Sequence, residues 1–301
     1  VAGRLTIEDD LIVAVEEADV PRDRMVFPGF LDLHVYAPET IVATGVTGYL
    51  QAGRRPAETA DPLCLGLHLE GPFLNPEAAG AIPVDELLPV DLVLLAEWLD
   101  RGDVRLVTVS PEIRGARAAI AKVAERAVAA IGHTFANEVT TRAAVDAGAR
   151  FATHLWNAMA PLRARATGPT TALLLDERVT IGLIGDGHHL HPTVEELTVR
   201  TAGPGRIALT SDRVAQPRSR EHRLQGGSRS GAQLVARFAR FGLPEAATMA
   251  SLVPAQLLGL SDRGRLEPGF RADLAILDAS FRPLETIVAG KTVWTLRYPE
   301  S

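Results

Sequence analysis

The sequence predicts an α/β fold of the (β/α)8 TIM-barrel type, and three observations carry that expectation. Eight short, β-rich apolar segments lie between residues 28 and 212, most of them ending in a polar residue. They recur about every 25 residues, the length of one strand-plus-helix unit. Helical apolar spacing fills several of the gaps, and strand–helix alternation carried to eight units closes a parallel sheet into a barrel. A doubly wound open sheet is the alternative, but no Gly-x-Gly-x-x-Gly follows the first strand.

Residues 4–7 and 11–15 read as a small β unit ahead of the barrel. The first barrel strand is 28–36 (PGFLDLHVY), and the short stretch between Tyr36 and the second strand, 46–50, is too brief for a full helix. The third strand, 64–70, ends in Glu70; the generous interval 71–103 holds a loop around Pro72–Pro83 and a helix at 90–101. Strand four is 104–110, and the helix 115–128 then places Ile120, Val123 and Val128 on one face. Strand five (129–134), a helix at 139–149 and strand six (150–156) follow. Strand seven (179–188) leads to a helix at 193–202 with Pro192 and Thr193 as start signals, and strand eight is 206–212. Residues 230–260 hold two helices broken near Gly242–Pro244, and 272–278, 285–289 and 291–296 are again β-rich. The expected organisation is a barrel over 28–262 wrapped by a small β-sandwich made of 1–27 and 263–301.

Composition narrows the function classes. With 301 residues, 47% of them hydrophobic and 23% charged, the chain buries a core without disulfide or metal staples. A formal charge of −6 leaves no basic footprint for nucleic acid. No apolar run suggests a membrane span, and VAGRLTIEDD lacks the basic start of a signal peptide, so a cytoplasmic protein without a membrane partner is expected. The single cysteine, Cys64, excludes an internal disulfide and any CxxC site, and reads as core.

The chemistry lies at the strand ends. Of eight histidines, His34, His68, His133, His154, His188 and His189 fall within or just after predicted strands, where barrel enzymes place their active sites. Glu70, His133 and His154, from strands three, five and six, offer two imidazoles and a carboxylate with an open position, the donor set of a catalytic divalent metal. Zinc is expected first, although iron, cobalt and manganese accept the same donors. Asp212, ending strand eight, is the candidate general base; a helix N-cap would also account for it. Only Lys122 and Lys291 exist, neither at a strand end, so a carboxylated or Schiff-base lysine is excluded and a glutamate ligand remains. His68 shares a strand face with Glu70 and could support the site. Of the adjacent His188 and His189 only one should face the pocket, while His191 and His222 read as surface residues.

These motifs resemble the N-acetylglucosamine-6-phosphate deacetylases of the amidohydrolase superfamily. The resemblance runs in order through PGFLDLHV (28–35), LGLHLEGPFLNPE (65–77), IGHTFA (131–136), THLWNAMAPL (153–162), GLIGDGHHLHP (182–192) and LTSD (209–212). MASLVPAQLLGL (249–260) and LEPGFRADLAILD (266–278) are shared more widely in the superfamily. The resemblance implies a hydrolase that removes acetate from an amino-sugar phosphate with one metal per subunit held by Glu70, His133 and His154. Asp212 would move the proton from water to the leaving amine. Asn157, Ala158 and His189 would contact the sugar phosphate. Arg165 would bind phosphate in a neighbouring subunit's site, which implies a homodimer. Dinuclear relatives carry His-x-His on strand one, which here reads His34-Val35-Tyr36, so His34 is the residue left for a second metal. A substrate-touching histidine of the third loop is replaced in Gly80-Ala81-Ile82, and Arg213 sits beside Asp212. These departures motivate two alternatives: hydrolysis of another N-acyl sugar or cyclic amide, or an impaired barrel that binds sugar phosphate without turnover.

Overall fold

The computed structural model describes residues 2–21, 23–217 and 224–297. The chain opens with strands β1 (Gly3–Glu8), β2 (Leu11–Glu17) and β3 (Arg24–Pro28). Eight parallel strands then form the central sheet: β4 (Phe30–Val35), β5 (Val46–Gly53), β6 (Cys64–Glu70), β7 (Val104–Val109), β8 (Val128–Ile131), β9 (Ala149–Ala152), β10 (Thr180–Ile184) and β11 (Ile207–Thr210). They neighbour one another in sequence order, as right-handed strand–helix–strand crossovers require. Helices α1 (Leu92–Asp100), α2 (Ala116–Ala124), α3 (Glu138–Asp146), α4 (Pro169–Leu175) and α5 (Pro192–Ala202) occupy successive crossovers. After β11 come α6 (Ala232–Phe238), α7 (Leu243–Ala247) and α8 (Val253–Leu257), the last two joined by a π-helical turn at Thr248–Leu252. Between β4 and β5 there is only a 3-10 turn, Ile41–Thr44, as the short spacing requires.

Side chains, rather than a full ladder, draw the first and last barrel strands together. The buried Asp32 carboxylate on β4 accepts from the Ser211 backbone N–H at 3.1 Å and the Thr210 hydroxyl at 3.2 Å, beyond β11 and at its end. The Tyr36 N–H then donates to the Arg213 carbonyl at 2.9 Å, next to a parallel bridge between Val35 and Arg213. Inside, Leu33, Leu50, Leu106, Ala130, Phe151 and Ala208 form one apolar cluster with Val253 and Leu258 at the last helix. A second, larger core fills the space between sheet and helices, where Leu95 and Leu99 of α1, Ile120 and Val123 of α2 and Val145 of α3 turn inward at helical spacing.

The terminal segments form two further sheets. β1 pairs with β2, and β3 joins β12 (Leu274–Asp278), β13 (Pro283–Val288) and β14 (Lys291–Thr295) in the order β14-β13-β12-β3, all antiparallel. Ile12, Ala272, Leu274 and Ile287 pack between the two sheets. β3 was not among the expected strands; a β12 partner across more than 240 residues leaves no local trace in the sequence. α4 was not expected either, because the apolar run Ala172–Leu175 shows no helical periodicity. No helix among the described residues is long and apolar enough to cross a membrane.

The strands β8, β9, β10 and β11 stop two to four residues earlier than their sequence patterns suggest. His133, His154 and Asp212 therefore sit beyond the last ladder positions, with φ of 48°, 32° and 49°. Left-handed backbone at a non-glycine residue costs about 1–3 kcal/mol and persists only where surrounding structure enforces it. Here it turns three polar side chains in from the rim of the barrel.

Candidate active site

The side chains from these strand ends meet in a cavity of about 370 Å³ lined by Tyr36, Arg54, Glu70, Ile82, His133, His154, Asn157, Ala158, His189 and Asp212, among others. Glu70 is its centre. Its Oε1 lies 2.9 Å from His133 Nε2, 2.8 Å from His154 Nε2 and 3.4 Å from His34 Nε2. His34 Nε2 is also 3.3 Å from Asp212 Oδ1. The other oxygen, Oε2, accepts a short hydrogen bond from the Tyr36 hydroxyl. Glu70, His34, His133 and His154 are each no more than 4% exposed.

The arrangement fits a divalent cation. Ligand atoms of His34, Glu70 and His154 lie within 4.8 Å of one another, and His133 reaches the same carboxylate oxygen. The Ala78 carbonyl accepts a hydrogen bond from His133 Nδ1 at 2.9 Å, which orients the ring with Nε2 toward Glu70. His34 Nε2 makes no hydrogen bond although it is buried. Burial opposes charge on the His34 ring, yet the Glu70 and Asp212 carboxylates outweigh it and push its pKa up to about 10. Burial likewise works against the Glu70 carboxylate, but the surrounding His34 and His133 imidazoles hold its pKa well below the usual range. The two carboxylates thus demand positive charge at this point, which a bound cation supplies.

The supporting residues were only partly visible beforehand. His68 is fully buried behind His34, its Nδ1 2.7 Å from His34 Nδ1 and its Nε2 2.8 Å from Thr108 Oγ1. Burial and the neighbouring His34 keep its pKa well below that of a free imidazole, so it acts as a neutral prop. Ser110 and Glu112, just beyond β7, were missed. The Ser110 hydroxyl lies 2.5 Å from the His133 carbonyl and 2.8 Å from the Asn75 N–H. Glu112 accepts from Thr134 Oγ1 (2.5 Å), the Phe135 N–H (2.7 Å) and Asn75 Nδ2 (2.8 Å), tying the Glu70 loop to the His133 loop. Their position at the carboxyl end of a barrel strand was the available signal.

The remaining expected residues divide by place. Asn157 and Ala158 line the cavity, with Asn157 Nδ2 donating to the His154 carbonyl at 3.2 Å. His189 lines it too, its Nδ1 3.0 Å from Asp186 Oδ2, whereas the exposed His188 turns into a neighbouring depression. Arg165 lies on the exposed segment 161–167 and does not line the cavity. His191 is an exposed N-cap of α5, its Nδ1 accepting from the Thr193 N–H at 3.2 Å, and His222 lies outside the described residues. Arg213 does not crowd the base: its guanidinium donates to the Ala37 carbonyl at 3.1 Å and the Glu39 carbonyl at 3.2 Å, away from Asp212. Tyr36 and Arg54, which line the cavity, were not anticipated as site residues.

The chain is similar to known proteins along most of its length. Residues 200–294 match the model of an amidohydrolase family. The N-acetylglucosamine-6-phosphate deacetylase of Lysinibacillus sphaericus is 30% identical, over 86% of this chain and 78% of its own. The N-acetylgalactosamine-6-phosphate deacetylase of Escherichia coli O157:H7 is 28% identical, over 96% of this chain and 94% of its own. Among solved structures, a mutant N-acetyl-D-glucosamine-6-phosphate deacetylase from Mycobacterium smegmatis, in complex with N-acetyl-D-glucosamine 6-phosphate, superposes with a TM-score of 0.90 at 30% identity, covering 97% of this chain and 95% of that one. A barrel of this topology, a histidine–glutamate centre at its mouth and this degree of likeness lead to one conclusion: the chain belongs to the N-acetylglucosamine-6-phosphate deacetylase family of amidohydrolases.

Proposed function

We propose that the chain hydrolyses the acetyl amide of an N-acetylhexosamine 6-phosphate, with N-acetylglucosamine 6-phosphate as substrate. The observation that carries this reading is the convergence of three imidazole Nε2 atoms on one Glu70 oxygen, with Asp212 alongside, at the mouth of the barrel. Glu70, His133 and His154 would hold a divalent metal, zinc before iron, cobalt or manganese, with His34 as the residue available to a second ion. When bound, the metal polarises the amide carbonyl and acidifies water.

The chain's own groups supply the rest. Asp212 accepts a proton from the water that attacks the carbonyl carbon. It returns that proton to the nitrogen as the C–N bond breaks, releasing acetate and a free amine. His34 Nε2 lies 3.3 Å from Asp212 Oδ1, close enough to attract the carboxylate electrostatically. Asn157, Ala158 and His189 form the wall that receives the sugar phosphate, and Asp186 holds the His189 ring by its Nδ1. Arg165, exposed and outside its own cavity, serves the phosphate of a neighbouring subunit in a homodimer; its planar fork suits that anion.

The test is acetate release by the purified protein from N-acetylglucosamine 6-phosphate and its C4 epimer, with metal content measured on the same sample. Release from the first, lost on chelation and restored by zinc, is the expected result. Metal without acetate from either sugar would overturn the substrate assignment.

A further inference from the structure

We infer that Arg54 reads the acyl group of the substrate and tunes the site toward N-acyl substituents that end in an oxygen. The inference rests on the proposed deacylase reading and extends it to the part of the substrate that is cleaved away. Arg54 follows β5 directly and lines the same cavity as Glu70 and Asp212. Among the described residues lining that cavity it is the sole arginine, and no lysine lines it.

Topology decides which half of the substrate it meets. In a ring of eight strands taken in order from β4 to β11, β5 stands opposite β9. Asn157 and Ala158 follow β9 and His189 follows β10, so the proposed sugar-phosphate wall is across the barrel mouth from Arg54. With the scissile amide at Glu70, the acyl substituent points to the wall built after β4, β5 and β6, where Tyr36, Arg54 and Ile82 stand. On that wall the Tyr36 hydroxyl is already spent on Glu70, and Ile82 offers no polar atom. A guanidinium has five N–H donors in a fixed fork. Arg54 Nε is held by Glu86 and the group faces the Tyr36 phenol, which fixes its position. With the side chain 27% exposed, its outer donors face the water of the cavity, where a substrate oxygen can take that water's place. An acyl methyl displaces that water without replacing its hydrogen bond, whereas a terminal hydroxyl or carboxylate restores it, and the site discriminates by that difference.

The experiment compares kcat/KM for N-glycolylglucosamine 6-phosphate and N-propionylglucosamine 6-phosphate, which differ only in a terminal hydroxyl against a methyl, with the N-acetyl compound as reference. The unmodified protein is expected to favour glycolyl over propionyl by roughly tenfold or more, mainly through KM. Arg54→Met should bring that ratio to near one, and Arg54→Lys, which keeps charge and loses the fork, to an intermediate value. Both variants are compared with the parent by circular dichroism and metal content, so that a folding or loading defect in one is recognised and the other still reports. Acetate release with a glycolyl-to-propionyl ratio within twofold of one in the parent, or a ratio unmoved by both substitutions, would overturn the role of Arg54 while leaving the deacylase reading intact. Absence of hydrolysis of all three compounds would overturn both.

Discussion

Glu195 on α5 is fully buried, and two guanidinia close on it: Arg237 Nε on Oε1 and Arg237 Nη2 on Oε2, both at 3.0 Å, and Arg240 Nη2 on Oε2 at 2.5 Å. Arg237 in turn lies against the loop that carries His189: a methyl placed on Gly187, whose φ is 77°, would come within 2.8 Å of its Cζ. Glu195→Gln keeps the shape and removes the charge, leaving one acceptor oxygen and turning an amide NH2 toward a guanidinium. Breaking a buried pair in this way costs about 3–5 kcal/mol. Arg240 is 37% exposed and Arg237 20%, so solvent returns part of the loss and about 2–4 kcal/mol remains. For 301 residues the unfolding entropy corresponds to about 0.6 kcal/mol per degree, so Tm should fall by roughly 3–6 °C. Scanning calorimetry measures this directly. Glu196→Gln is the control: its pair with Arg200 joins side chains 46% and 78% exposed and should move Tm by less than about 1 °C. Glu195→Gln should also raise KM through the loosened His189 loop. A Glu195→Gln protein melting within a degree of the parent would refute the reasoning, since the triad would then contribute no more than a surface pair.

Asp212→Asn removes the proposed proton carrier while keeping its shape, and turnover should drop by roughly 10²–10⁴-fold with metal content unchanged; undiminished acetate release would exclude Asp212 as the base. The pH dependence of stability has a specific source in Asp186. Burial opposes its ionisation, but the His189 ring and the His188 and His189 backbone N–H groups prevail and hold its pKa at about 2, below the ordinary 3.8. A depressed carboxyl stabilises the fold above its unfolded value and loses that contribution as pH falls through the folded one. Urea midpoints should therefore decline between about pH 4 and pH 2 more steeply in the parent than in Asp186→Asn, and parallel profiles would count against this assignment.

The periodic features of the chain were legible from its residues alone. Eight apolar segments at near-regular spacing, and inward positions such as Ile120 and Val123 repeating along α2, follow from local backbone geometry, in which each strand or helix must bury one face. The strand-end polar residues could be read too, because a barrel exposes its chemistry at one rim. Which atoms meet there is a different matter. That Glu70 Oε1 gathers three imidazoles while Oε2 takes the Tyr36 hydroxyl depends on barrel closure, through Asp32 and Ser211, 179 positions apart. The left-handed turns at His133, His154 and Asp212 are imposed by packing against local preference. Arg213, beside the base in sequence, is drawn away by the carbonyls of Ala37 and Glu39, while Arg54, in no motif, is carried into the cavity by the end of β5. Sequence by itself determined the barrel, its order of strands and the kinds of residue at its mouth, because those follow from periodicity. Tertiary structure alone decided the partners of each polar atom, because they lie on strands far apart in the chain and meet only when the barrel closes.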